Sequence, residues 1–528
     1  MVLSEEDWSS WDKLVDVKGE RSSQYIVAIT ELQKLYREIP NDIATGAESI
    51  SKTIKTTDEV VEVKIGRVEH ILITEETQKI QVVFDIESKS KEQATLTENT
   101  KISELAIVLD SSGSMKGEPL TRSKEAICQV IDKLGEANKI HIINYSTDAQ
   151  LSYSGYINEE NQLDVKMMVM DNINAQGSTN IMSGIMCAIK SFFSGEYTGR
   201  ANRRIFLFSD GVVNYGVSKE EEILAIIKLI HIKFAVNFTS FGLGADFDEK
   251  LMKGIAEKGN GDFFFIDGAE DIHWKVNKGL DVFQSLYGIN TKLTIFCSPF
   301  KPKSAPVDQQ LSILVEEIHG FTKCKSASSQ ASLGDLCYDD LRQVLVTFSI
   351  QSSPYFKHFT ISDDSVHLID FLLSFDSFDE GNQLVASKLK GKIAFKLTLD
   401  EKKLQEIPHS LLVAQAISKA STFDEMVAKQ IENGDLATLI GWKKESMEIL
   451  KSVIDVDKTH VVRLLLEKGQ ALLRSLLDKQ QATTRVVSIA AEAHHHPPPP
   501  PILPKQQNLQ KEAGYYHYRS SIVHRKCF

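Results

Sequence analysis

Leu105-Ala106-Ile107-Val108-Leu109-Asp110-Ser111-Ser112-Gly113-Ser114-Met115 is the stretch from which the fold of this chain is read. Its apolar run reads as a strand buried on both faces, and the residues after Leu109 read as the loop in which that strand ends. Asp110, Ser112 and Ser114 stand at alternate positions, so one carboxylate and two hydroxyls leave the same turn. These are hard oxygen donors of the kind that suits Mg2+, which takes near-octahedral oxygen ligation and gives up its waters reluctantly. Three donors do not close such a shell, so other segments have to contribute. Gly177-Ser178-Thr179-Asn180 and Phe208-Ser209-Asp210-Gly211 have the matching chemistry. The candidate metal ligands are therefore Asp110, Ser112, Ser114, Thr179 and Asp210. With only two formal negative charges among them, a cation held there keeps Lewis acidity toward an incoming carboxylate. Asp-Ser-Ser-Gly-Ser alone is also ordinary turn composition. The buried strand before it and the two matching segments after it set it apart from a simple turn.

The surrounding pattern predicts the scaffold. Ile127, Val130, Ile131 and Leu134 recur at helical spacing, with Gly135 placed as a C-cap, and Ile140 to Tyr145 reads as the next strand. Further on come a strand at Ile205 to Phe208 and a capping box at Ser218 with Glu221. A helix carrying Ile223, Ile226, Ile227 and Ile230 and a strand from Phe234 to Phe241 follow. Strands alternating with helices predict an α/β domain, a doubly wound, mostly parallel, Rossmann-like sheet covered on both faces. In that topology ligands bind beyond the carboxyl ends of the strands at the switch point, and Asp110 and Asp210 both follow apolar runs.

These residues resemble a known family. Asp-x-Ser-x-Ser, the Thr of Gly-Ser-Thr-Asn and the Asp of Ser-Asp-Gly are similar to the metal-ion-dependent adhesion site of von Willebrand factor A-type (vWA) domains. Ser240-Phe241-Gly242-Leu243-Gly244-Ala245-Asp246-Phe247-Asp248, then Leu251, Ile255-Ala256 and Gly261-Asp262-Phe263-Phe264-Phe265-Ile266, resemble the end of such a domain. The resemblance runs from near Ile102 to near Phe283, about a third of the chain. It implies that the five matched positions, all present, coordinate Mg2+ or Mn2+, directly or through water; Ca2+ is a further candidate. The flanking regions resemble those of intracellular and bacterial vWA proteins and of plant vWA-containing ubiquitin ligases. The RING zinc module of those ligases is absent here, so ligase activity is not carried over.

The 528 residues are too many for one core and predict several domains. The expected division is an N-terminal helical or flexible segment at 1–55, a β-rich flanking domain from 56–101 and 285–400, and the vWA domain at 102–283. A helical region at 401–482 and a disordered His/Pro-rich tail at 483–528 complete it. The flanks earn their assignment from period-two runs at Val61, Val63 and Ile65, at Ile80, Val82, Phe84 and Ile86, and again at Val344 to Ile350 and Lys392 to Leu399. The economical arrangement is one antiparallel β-sandwich with the vWA domain inserted between its strands, although two β modules would leave the same pattern. Tyr25, Ile26, Ile29, Leu32 and Leu35 form an N-terminal apolar stripe. After Pro408, stripes such as Leu411 with Leu412, Leu439 with Trp442, and Leu465, Leu466, Leu472 with Leu476 fit two to four amphipathic helices.

A formal charge of −12, from 60 Lys plus Arg against 72 Asp plus Glu, argues against a nucleic-acid surface. The amino terminus has no leader pattern and no run is long enough to span a bilayer, so the expected location is cytoplasmic. The six cysteines are scattered without a Cys-x-x-Cys pair, which disfavours zinc and a disulfide framework. Asn144-Tyr145-Ser146 and Asn237-Phe238-Thr239 match the glycosylation pattern but fall in expected buried strands. His494 to His496 precede an extended polyproline run at 497–504, which reads as a stiff spacer or as a ligand for a polyproline-binding module.

The sequence predicts a non-enzymatic interaction protein that binds an Asp or Glu carboxylate of a protein partner through the cation. Loops around Gly177, Val212 to Tyr215 and Gly242 to Asp246 would select the partner. A metal-assisted phosphoryl hydrolase is the enzymatic alternative, with Lys116 its only nearby base. With a non-functional metal site the chain would be a passive scaffold.

Overall fold

The computed structural model describes residues 11, 21–39, 54–55, 60–74, 76–90 and 523–524, together with 103–492 except 135–137, 195–201, 244–246, 267–268, 302–309, 353–364, 379–383, 405, 431–434 and 459–460. Gly135, Gly244 to Asp246, the three histidines and the polyproline run at 497–504 lie outside the described residues. In chain order the elements begin with α1 (Ser23–Glu38), β1 (Ile54–Lys55), β2 (Val61–Arg67), β3 (His70–Leu72) and β4 (Gln78–Ser88). Next come β5 (Ser103–Asp110), α2 (Glu118–Lys133), β6 (Asn138–Tyr145), β7 (Ala149–Tyr156), α3 (Gln162–Asn172) and α4 (Ile181–Phe192). They continue with β8 (Asn202–Ser209), α5 (Glu220–Phe234), β9 (Val236–Leu243), α6 (Glu249–Lys258), β10 (Phe263–Ile266) and α7 (Ala269–Gln284). The antiparallel strands are β11 (Leu286–Cys297), β12 (Leu311–Ile318), β13 (Thr322–Ser326), β14 (Ser328–Cys337), β15 (Leu341–Ser352), β16 (Val366–Phe378) and β17 (Leu384–Thr398). The chain closes with α8 (His409–Gln430), α9 (Leu436–Lys451), α10 (Val461–Glu492) and β18 (Val523–His524).

The chain forms two compact units, one from 1–54, 95–290 and 376–386, the other from 55–94, 291–375 and 387–528. In the first unit six strands lie in the order β10-β9-β8-β5-β6-β7, parallel except for β7, which runs antiparallel to β6. Strands β5, β8 and β9 are buried at every position, as continuous apolar runs are when helices cover both faces of a sheet. Register sets Asp110 beside Tyr145 and Leu109 beside Phe208. The expected stripe on α2 is found, with Ile127, Val130 and Ile131 buried. Fully burying such a side chain contributes about 1.5–3 kcal/mol. Helix α4 comes so close to the sheet that a Cβ on Gly184 would lie 2.7 Å from the Tyr145 ring and 2.8 Å from Val108. Glycine is needed there for packing. The rings of Phe208 and Phe241 stack at 4.5 Å between centroids.

Two local expectations are corrected. Helix α5 is capped by Lys219, without a side-chain bond, and not by a box at Ser218. Its Glu220, Glu221 and Glu222 supply the negative charge that favours a helix N-terminus. On α1, Tyr25, Ile29 and Leu32 are buried but Ile26 is exposed, and Gln33 joins the buried face.

Strands that precede and strands that follow the parallel sheet in the chain share antiparallel sheets. β4 pairs with β15 from Gln78↔Ile350 to Glu87↔Leu341, and β2 pairs with β4 on its other side. This sheet has the order β13-β12-β15-β4-β2, and a second sheet has the order β1-β17-β16-β11-β14. The two face each other through Phe84 and Phe371, whose rings meet edge-on at 5.4 Å. Helix α8 lies on the first sheet, where Leu411 and Ala414 cover Val83 and Leu345. The helical stripes are core: Ile417, Met447, Val461 and Val462 form one cluster, and Val427, Leu439, Leu472 and Leu476 another. No helix among the described residues is long and apolar enough to cross a membrane.

Candidate metal centre

The site is built where β5 stops. Asp110 ends the strand, and Ser111 then donates from its backbone N–H (2.7 Å) and its hydroxyl (2.9 Å) to the Tyr145 carbonyl, bending the chain out of the sheet. The Ser112 N–H donates to Asp110 Oδ1 at 2.9 Å, an Asx-type bond that folds the loop back on its own carboxylate. A short 3₁₀ turn at Gly113–Met115 brings the Ser112 and Ser114 hydroxyls to 3.1 Å from each other. The first three expected ligands are therefore together.

The second loop is fastened to the first through the backbone, since Gly113 N–H donates to Gly177 O (3.1 Å) and Gln176 N–H to Ser111 O (2.8 Å). Gly177 has φ +75°, and a Cβ there would lie 2.9 Å from Thr147 Oγ1. The turn thus depends on glycine both for its backbone and for its space. Asn180 caps α4 by accepting from Ser183 N–H at 3.3 Å, which fixes the loop bearing Thr179. The third loop is tied to the second: Thr179 N–H donates to Asn214 Oδ1 at 2.8 Å, and the N–H groups of Asn214 and Tyr215 return to Thr179 O at 3.2 Å. Within it, Val212 N–H donates to Asp210 Oδ1 at 3.1 Å, and Asp248 N–H holds the Asp210 carbonyl at 2.7 Å.

Beneath these loops lies a polar layer that sequence reasoning did not find. The Ser209 hydroxyl donates to Asp110 Oδ2 at 2.6 Å and itself accepts from Gly211 N–H at 2.9 Å. The Tyr145 hydroxyl lies 3.2 Å from the same carboxylate oxygen and 3.1 Å from Ser209 Oγ. Asp110, Ser112, Thr179, Ser209 and Asp210 are buried, whereas Ser114 is exposed. Burial pushes the Asp110 carboxyl above its usual range; the bonds from Ser209 and Ser112 oppose this, and the negative charge of Asp210 adds to it. The Tyr145 phenol is raised further still, by burial first and then by Asp110.

The donor set fits a hard divalent cation. The Asp110 and Asp210 carboxylates, whose charges disfavour each other, lie with the paired Ser112 and Ser114 hydroxyls, and a cation would relieve that repulsion in a way that further hydroxyls cannot. Asp110, Ser112, Ser114, Thr179 and Asp210 would be the groups to hold it, with Ser209 and Tyr145 orienting Asp110 from behind. Among the described residues no three His, Cys, Asp or Glu side chains cluster as metal ligands. Cys128 and Cys187 are free thiols.

Comparison with known proteins agrees with this architecture. The sequence model of the von Willebrand factor type A domain matches residues 104–276. These residues form a vWA domain. The uncharacterised protein YfbK of Escherichia coli is 28% identical over 192 residues, 36% of this chain and 32% of YfbK. An uncharacterised Synechocystis protein is 22% identical over 245 residues, 46% of this chain and 56% of that protein. The chain thus spans between a third and somewhat over half of these relatives. Mouse inter-alpha-trypsin inhibitor heavy chain H3 is 27% identical over 145 residues, 26% of this chain and 16% of that protein. Among solved structures, a von Willebrand factor type A protein from Catenulispora acidiphila superposes with a TM-score of 0.54 at 14% identity, covering 76% of this chain and 89% of that one. This likeness extends over more of the chain than the vWA domain itself and concerns the fold.

Proposed function

We propose that this chain is a cation-dependent protein-binding protein whose vWA domain takes an Asp or Glu side chain of its partner. Domains of this family mediate protein–protein interaction. The observation that carries the metal-dependent reading is the stitching of three loops, at 110–114, 177–180 and 209–215, into one mouth at the carboxyl ends of β5 and β8 by backbone hydrogen bonds. Their five donors leave part of an octahedral shell to solvent or ligand. Bound Mg2+, or Mn2+ or Ca2+ in its place, supplies a Lewis-acidic position for a carboxylate. The residues of this chain do the rest. Ser209 and Tyr145 hold Asp110 in its ligating orientation. Asn214 fixes the Thr179 loop, and the exposed side chains of Val212 and Tyr215 flank the mouth where a partner arrives.

The hydrolase alternative has less support. Both oxygens of Asp110 are engaged, which suits a ligand better than a general base, and the exposed Lys116 is the one lysine on the loop 110–117. The test is recovery of partners on the immobilised full chain with Mg2+ or with EDTA, read by mass spectrometry, beside the Asp110→Ala variant. Partners retained with Mg2+ and lost with EDTA and with Asp110→Ala support the reading. Identical recovery in all three overturns it. Phosphomonoesterase or nucleotidase activity that disappears in Asp210→Ala would favour the hydrolase.

A further inference from the structure

The parallel sheet stops at β7, which among the described residues pairs only with β6. Ala149–Tyr156 holds no charged residue and no proline, in a chain where 25% of residues are charged. The long edges of the sheet ordered β13-β12-β15-β4-β2 are guarded: β2 carries Glu62, Lys64 and Arg67, and β13 carries Lys323 and Lys325. Such charges are the usual defence of an edge against further pairing. The register shift between Ile142 and Ile143 adds twist to β7 but places no charge on it.

The helix that follows prolongs this open flank. α3 buries Val165 and Val169, yet Leu163, Met167 and Met170, at i, i+4 and i+7, are 67%, 53% and 40% exposed. On β7 itself Leu151 and Tyr156 are 41% and 47% exposed. Asn161 joins strand to helix, its Nδ2 donating to Tyr156 O at 2.9 Å and to Tyr153 Oη at 3.3 Å. The flank is also acidic. Asp148, Glu159, Glu160, Asp164 and Asp171 are exposed, while Lys166, the one base between 148 and 172, is engaged by Asp132.

We propose that β7 and α3 form a second docking surface, distinct from the cation mouth, that accepts an extended, basic segment of another protein as an added strand. Main-chain bonds to the free edge set register, and apolar side chains at alternate positions meet Leu151, Tyr156 and the α3 stripe. Lysines or arginines meet the acidic rim and raise the rate of encounter. A second copy of this chain fits less well, because pairing β7 with itself brings two acidic rims together.

The probe is a fluorescein-labelled peptide of alternating valine and lysine, titrated into the full chain by anisotropy in Mg2+ and in EDTA. Saturable binding in both is expected, with affinity about tenfold lower when glutamate replaces lysine and falling with salt. Proline at alternate positions should abolish binding, and Leu151→Lys should weaken it about tenfold while Leu399→Lys, at an exposed site elsewhere, leaves it unchanged. If Leu151→Lys fails to fold by circular dichroism, the Asp164→Asn, Asp171→Asn double variant should flatten the salt dependence. Equal affinity for lysine and glutamate peptides, or insensitivity to these substitutions, overturns the proposal. So does sedimentation showing that β7 is occupied by a second copy.

Discussion

Asp110 shows how much of the site is local and how much is not. Ser112, which donates to it, and Ser114, whose hydroxyl meets that of Ser112, lie in the same turn, so alternate-residue spacing is enough to group them. Ser209 and Tyr145, which hold its outer oxygen, are 99 and 35 positions away and reach it only through the register of β5 with its neighbours. No local pattern encodes that register, although Ser209 does stand beside Asp210 in the segment already singled out. The Ser209→Ala variant is expected to lower Mg2+ affinity about 10–100-fold, as loss of an orienting partner typically does, with calorimetry as the check. Unchanged affinity would mean that Asp110 needs no such support. Gly177→Ala should destabilise the chain by about 1–3 kcal/mol in urea unfolding, since both its φ of +75° and the nearness of Thr147 oppose a Cβ. A neutral result would show that the loop relaxes freely.

Elements were readable where one face is apolar at a clear period. The stripes on α2, on α5 and on the C-terminal helices, and the runs of β5, β8 and β9, follow directly from their sequences. Ends were less readable, because capping depends on neighbours in space. Ser22 caps α1 by accepting from Tyr25 N–H, and both its own N–H and its hydroxyl donate to Glu222 of α5, 200 positions away. The expected box at Ser218 with Glu221 does not form because the helix starts at Glu220 with Lys219 as its N-cap. Burial alone would raise the Glu222 carboxyl, but the bonds from Ser22 together with Lys219 outweigh it and leave it below its usual value. A carboxyl depressed by folding contributes stability above its ordinary range and loses it as pH falls through that range toward the lowered value. Glu222→Gln should therefore loosen α1 at neutral pH, seen as faster amide exchange over 23–38, and the difference from the parent should vanish in acid. A difference that persists at low pH would contradict the assignment.

At the scale of the whole molecule, alternation of strands and helices was enough for the parallel sheet, and period-two runs on both sides were enough to expect antiparallel strands around it. The pairing of β4 with β15 joins residues more than 250 positions apart, and such long-range partners are set by complementary faces and not by any adjacent signal. Strands β12, β13 and β14 carry no local signal for a similar reason. β13 mixes lysines with small residues, and the apolar positions of β12 acquire meaning only beside β15. We propose that residues 102–283 are inserted into a host assembled from 56–101 and 285–400, with the helices at 401–482 covering part of it. In that arrangement an occupied cation mouth belongs to one folding unit while the chain's length offers other surfaces to other partners. The central claim is the cation itself. Isothermal titration of the full chain with Mg2+ after EDTA treatment should give one saturable site in the parent protein and no measurable heat of binding in Asp110→Ala with its circular dichroism unchanged. No saturable uptake by the parent protein at millimolar Mg2+, or equal uptake by the folded variant, would contradict it.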